Sequence, residues 1–172
     1  MMDKGNDRVY LAHTLLDRLR SDGPCAGGNL RALTADEQRA SVLKDLEFLF
    51  NTGNLASVVD LENHPRVARS VLNYGVPCFA GRSLSIMGEE EFKRLFRQAI
   101  IDFEPRIDPK SVEVDVHIAG DSMNQTAVTL RIRGRLLTEL ELVLKTDVDL
   151  ETGSVTISDE TKRTLKDKES DR

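Results

Sequence analysis

Apolar residues recur at three- and four-residue steps through the first two thirds of the chain, and at every second position beyond Pro109. Between residues 9 and 20, Val9, Ala12, Leu15, Leu16 and Leu19 share one helical face, which predicts a short amphipathic docking helix. Residues 21–29 contain Gly23-Pro24 and Gly27-Gly28 without an apolar period and read as a flexible linker. Thr34 and Glu37 have capping-box spacing, and Val42, Leu43, Leu46, Leu49 and Phe50 then trace a helix face that stops at Asn51-Thr52-Gly53. Pro65 suits the first position of a short third helix, with Val67, Val71 and Leu72 as its apolar side and Gly75 as its left-handed stop. Irregular chain with Pro77, Gly81 and Gly88 leads to Glu89, Glu90 and Glu91, acids that suit the positive end of a fourth helix dipole.

That fourth helix buries Phe92, Leu95, Phe96, Ala99, Ile100 and Phe103, and Pro105 ends it. The proline ring pushes Glu104 out of the helical region, so the helix is expected to finish near Phe103. Arg106 then lies near orphan carbonyls and the negative dipole end, where a cation is favoured. Two readings stay open: Glu104 and Arg106 pair with each other across the corner, or the corner presents them to a partner.

After Pro109 the alternation predicts strands. Val112, Val114, Val116 and Ile118 face one way, with Glu113, Asp115 and His117 opposite. Residues 120–125 form a turn, Val128, Leu130 and Ile132 continue the pattern, and Gly134 marks a bulge or bend. Leu140, Leu142, Leu144 and Val148 form a third strand, and Glu151-Thr152-Gly153 connects it to a short last strand at Val155 and Ile157. From Asp159 charged residues dominate, which predicts a disordered tail over 159–172. The expected fold is α+β, with N-terminal helices packed on one face of a C-terminal three- to four-stranded antiparallel sheet. The domain spans 30–158, preceded by the helix and Gly-rich linker of 1–29.

A length of 172 residues allows one domain with a full core, and 40% apolar with 31% charged residues is ordinary for a globular protein. The net charge of -5 argues against a nucleic-acid partner. Arg131, Arg133 and Arg135 form a basic row on one strand, but Glu139 and Glu141 follow and offset it. Cys25 and Cys78 lack metal-ligand spacing, so free thiols and a cytoplasmic location are expected, with neither metal nor cofactor. No window approaches the roughly 20 apolar residues that span a bilayer, and the amino terminus lacks a long apolar stretch.

Glycoside hydrolysis needs two carboxylates at a set separation. Glu47, Asp102 and Glu104 are the candidates, and a solvated surface acid is the better expectation for each. His13, His64 and His117 are far apart with no metalloprotease spacing; His64 precedes Pro65 at the start of a helix, and His117 is on the polar side of its strand. A nucleophile elbow and a phosphate-binding glycine loop are both missing, and Cys78 is expected to be a small buried thiol.

Three blocks carry a family resemblance: residues 42–52 (VLKDLEFLFNT), 70–77 (SVLNYGVP) and 103–107 (FEPRI). In this order they resemble the TssE family, the baseplate wedge subunits of the bacterial type VI secretion system, related to the baseplate wedge protein of contractile phage tails. The likeness runs from about Leu33 to Ile157. It departs from the family pattern at Gly53, where an arginine is usual, and at Cys78, where an acid is usual.

The resemblance implies a non-enzymatic structural component in which Glu104, Pro105 and Arg106 contact the helical core of neighbouring TssF and TssG. It also implies TssK and the sheath subunits TssB and TssC as partners, with an exposed strand edge accepting a sheath strand to start polymerisation. The chain would then meet the membrane-docked apparatus only through partners. Arg106→Ala and Arg106→Lys are expected to leave the domain folded and abolish wedge assembly, because lysine lacks bidentate bonding. The rival readings are a lysozyme-like peptidoglycan hydrolase with a glutamate acid, and a regulatory module of anti-adaptor type.

Overall fold

The expected helix start at Thr34 is formed by a reciprocal capping box: Glu37 N–H donates to the Thr34 hydroxyl, and Thr34 N–H donates to the Glu37 carboxylate at 2.9 Å. It opens α1, Ala35–Phe50, in a computed structural model that describes residues 33–81, 87–117 and 127–161. The expected helix at 9–20, the linker at 21–29, Ile118, the turn at 120–125 and the tail beyond 161 lie outside the described residues. Val42, Leu46, Leu49 and Phe50 are buried, as their spacing predicts.

The expected third helix is shorter than its apolar pattern. α2, Pro65–Ala68, is a single turn with Pro65 at its start, and a separate 3-10 turn follows at Val71–Asn73. Val71 and Leu72 are 81% and 68% exposed, so they do not form the buried side assigned to them. Asn73 supplies the buried anchor instead: its side chain accepts from Ala56 N–H and donates to the Ala68 carbonyl, each at 2.8 Å. Gly75 has a φ of +117°, and a Cβ there would lie 2.2 Å from the Thr52 carbonyl oxygen. That close approach lets Val76 N–H bond Thr52 at 2.9 Å and tie this segment to the end of α1.

α3, Glu89–Phe103, buries Phe92, Phe96, Ala99 and Ile100. Phe96 packs on Phe50 at 4.9 Å, on Phe92 at 5.0 Å and on Phe79 at 5.3 Å. These rings join α1, α3 and the irregular chain between them.

β1 (Glu113–His117), β2 (Ala127–Arg135), β3 (Glu141–Asp149) and β4 (Val155–Asp159) form an antiparallel sheet in the order β1-β2-β3-β4. α1 packs beside β4 and α3 beside β1, on the face that presents Val114, Leu130, Ile132, Leu144, Val148 and Val155. This is the expected α+β arrangement, with four strands. Gly134 makes no bulge, since pairing runs unbroken through Arg133↔Val143, Gly134↔Leu142 and Arg135↔Glu141. A Cβ at Gly134 would lie 3.1 Å from Ile107 Cγ2, so the glycine makes room for the chain leaving α3.

The first residues of the expected tail belong to the sheet. Asp159 pairs with Leu144, Glu160 N–H donates to the Val143 carbonyl, and Thr161 is buried with its hydroxyl accepting from Val143 N–H.

Candidate functional site

Pro105 stops α3 at Phe103 and turns the chain so that Glu104 and Arg106 come together. The Arg106 Nε donates to Glu104 Oε1 at 2.7 Å and its Nη2 to Glu104 Oε2 at 2.5 Å, a bidentate pair. Arg106 N–H also reaches Glu104 Oε1, at 3.2 Å. Beyond this pair the guanidinium crosses to α1, donating from Nη2 to Asp45 Oδ2 at 2.6 Å and from Nη1 to Ser41 Oγ at 3.1 Å. Ser41 and Asp45 are four residues apart, so both sit on one face of α1.

The corner is fixed on its other side by backbone. Leu137 N–H donates to the Arg106 carbonyl at 2.9 Å, and Asp108 N–H to the Arg135 carbonyl at 2.8 Å. Ile107, buried, bridges to Leu136. Pro105 is exposed between these ties.

Of the two readings of Glu104 and Arg106, pairing with each other is what the geometry contains. Glu104 is 4% exposed, so it is not the solvated surface acid expected from composition. Arg106 bonds side chains rather than the last carbonyls of α3. Burial opposes its charge, but hydrogen bonds and charge from Glu104 and then Asp45 outweigh that and raise its pKa above the ordinary arginine value.

Tyr74 completes the site from a third segment. Its ring meets Phe103 edge-on at 5.3 Å, and burial, then Asp45, then Glu104 raise its phenol pKa. The three sequence blocks, separated by tens of residues, thus converge: Asp45 from the first, Tyr74 from the second, Glu104 and Arg106 from the third. Sequence reasoning did not single out Ser41, Asp45 or Tyr74. Their signal was membership in those blocks, or a polar position one turn from another along a helix.

The remaining candidates lie elsewhere. Glu47 is exposed on α1, and Asp102 accepts from Gln98 Nε2 at 2.9 Å. His64 and His117 are exposed, and no group of metal-ligating side chains occurs among the described residues. Cys78 is exposed rather than buried. Arg131 pairs with Glu160, Arg133 with Glu113 and Asp115, and Arg135 with Asp108 and Glu139, so the basic row is offset more widely than Glu139 and Glu141 suggested. No helix among the described residues is long and apolar enough to cross a membrane.

A side chain of α3 meets the chain just before β1, and the residue that caps α1 meets the start of β4. Arg97 Nε donates to the Val112 carbonyl at 3.1 Å beside β1, and the Asn51 amide bonds Val155 of β4.

No curated protein and no solved structure matches the chain. A family description does: that of the baseplate wedge protein gp25, over residues 36–141, which holds all three converging blocks and runs from α1 to the start of β3. With more than half of its length matched, and with the matched segments meeting at one braced corner, the chain belongs to the baseplate wedge protein gp25 family.

Proposed function

We propose that the chain is the wedge subunit of a type VI secretion baseplate and holds the TssF–TssG core through the corner formed by Glu104, Pro105 and Arg106. The family assignment supports a structural baseplate role, and the observation that carries the finer reading is the four-residue brace behind an exposed proline. Glu104, Arg106, Asp45 and Ser41 fix the corner from within, so Pro105 and the outer rim of Arg106 meet a partner in one preset geometry. Preset geometry reduces the ordering cost of association. Pro105 is the surface element, and Glu104 and Arg106 act chiefly by setting its direction.

The sheet supplies the second contact. An outer edge, left open beyond Asn51 or Arg97, accepts a strand from TssB or TssC and starts sheath polymerisation, with TssK as a further baseplate neighbour. The chain works in the cytoplasm, attached to the docked apparatus through these partners, and is not an enzyme. Against the hydrolase reading, both Glu104 oxygens are occupied by Arg106 rather than poised toward a substrate.

Co-purification of the tagged chain with TssF and TssG, reduced by Pro105→Ala with unchanged melting, is the expected result. Capture of a response regulator in their place favours the anti-adaptor reading. Release of peptidoglycan fragments that stops with Glu104→Gln overturns the structural one.

A further inference from the structure

We propose that Asp45, Phe48, Val71 and Leu72 form a docking face for a partner segment in which a lysine or arginine is flanked by apolar side chains. A guanidinium has five N–H groups, and Arg106 directs four of them to Glu104, Asp45 and Ser41. Arg106 therefore has one donor left for a partner. Asp45 is the reverse case: Oδ2 takes Arg106, and no donor among the described residues reaches Oδ1. With its side chain 29% exposed, Asp45 offers an acceptor to the outside.

Exposed apolar side chains lie on the two segments that carry Asp45 and its neighbour Tyr74. Phe48, three residues along the same face of α1, is 53% exposed. Tyr74 lies close enough to Asp45 to feel its charge, and the 3-10 turn leading into Tyr74 carries Val71 at 81% and Leu72 at 68% exposure. Exposed apolar side chains in adjoining segments mark interaction sites more often than single ones do. A carboxylate acceptor among apolar groups is complemented by a cation on an apolar segment. Once water is excluded, the bond between them is stronger than at an open surface.

This inference rests on the wedge-core reading, and it adds the chemistry of the partner segment. The test uses the full-length chain and purified TssF–TssG complex, with affinity measured across a salt series. Phe48→Ser combined with Leu72→Ser is expected to weaken binding about tenfold or more while melting stays at the wild-type value. Asp45→Asn, which keeps an acceptor for Arg106, is expected to flatten the salt dependence. Unchanged affinity in the double variant, with binding still lost in Pro105→Ala, overturns this docking face and leaves the wedge-core reading intact. Absence of any wild-type binding to TssF–TssG overturns both.

Discussion

Asn51 treats Val155 as a neighbouring strand would: its amide nitrogen donates to the Val155 carbonyl at 2.8 Å, and its amide oxygen accepts from Val155 N–H at 2.9 Å. Ser154 and Glu160 backbone groups bond β3, so the residues between them at 155, 157 and 159 turn their N–H and C=O groups outward. Asn51 closes the first of these outward pairs and also donates to the Glu47 carbonyl at 2.8 Å at the end of α1. Asn51→Ala is expected to cost about 3 kcal/mol, from three lost bonds of about 1 kcal/mol each. It should also speed amide hydrogen exchange at Val155, and exchange at wild-type rates there would show that the amide does not hold the edge.

The brace changes what Arg106 variants should do. Sequence reasoning expected Arg106→Ala to leave the domain folded, but Glu104 is 4% exposed, and removing its partner leaves a buried carboxylate uncompensated. A loss of about 3 kcal/mol is expected for Arg106→Ala. Replacing both members, Glu104→Met with Arg106→Met, removes the charge problem and is expected to recover most of the stability without restoring the proposed TssF–TssG contact. Chemical denaturation of the single and double variants checks the first statement, and co-purification the second. A double variant that both folds and binds would limit the pair to a packing role.

Thr146 lies on the inner face of β3, fully buried, and its hydroxyl has no hydrogen-bond partner among the described residues. An unbonded buried hydroxyl costs free energy that an isosteric methyl does not. Thr146→Val is expected to stabilise by about 1 kcal/mol, raising Tm by about 2–4 °C for a domain of this size. A lower melting temperature would mean the hydroxyl has a partner in solution.

Most of the helix and strand pattern was legible because one-sided burial imposes a period, and Val42, Leu46, Phe92, Phe96, Leu130 and Leu144 follow it. The third helix failed for the same reason turned around. Val67, Val71 and Leu72 have helical spacing, but spacing does not say whether anything covers the face, and here Asn73 holds the segment while Val71 and Leu72 stay outside. At the site, Pro105 and the Glu104–Arg106 pair could be read locally, since the two charges lie two positions apart with only Pro105 between them. Asp45 and Ser41 could not, because their link to Arg106 spans 61 and 65 positions and depends on how α1 crosses the corner. The burial of Glu104 was hidden too: composition favours exposure for any single acid, and only a placed partner reverses it.

Gly75 tests whether the second block must keep its backbone path. At φ +117° a side chain is strained, and a Cβ 2.2 Å from the Thr52 carbonyl oxygen forces the two segments apart. Gly75→Ala is expected to cost about 2 kcal/mol or more and to break the Gly53–Val76 bridge, which would appear as fast exchange of the Val76 amide. Gly53→Ala, where a Cβ meets nothing within 4 Å, is the matched control and should melt close to wild type.

Tyr74 makes the site sensitive to alkali. Its phenol titrates above the reference value of 10.0 because it is partly buried and its anion would face first Asp45 and then Glu104. In the unfolded chain the same group ionises near that reference value. The folded state therefore binds the proton more tightly, and the stability this provides is fully present below about pH 10 and lost as pH rises through the raised folded pKa. Tyr74→Phe cannot ionise, so its melting temperature should fall less steeply above about pH 10 than that of the wild type, while the Phe103 ring contact is retained. The chain has two tyrosines, so an absorbance titration of the Tyr74→Phe variant leaves only Tyr10 and isolates the missing transition by difference. A transition at or below the reference value would mean that Asp45 and Glu104 are too well neutralised by Arg106 to act on the phenol.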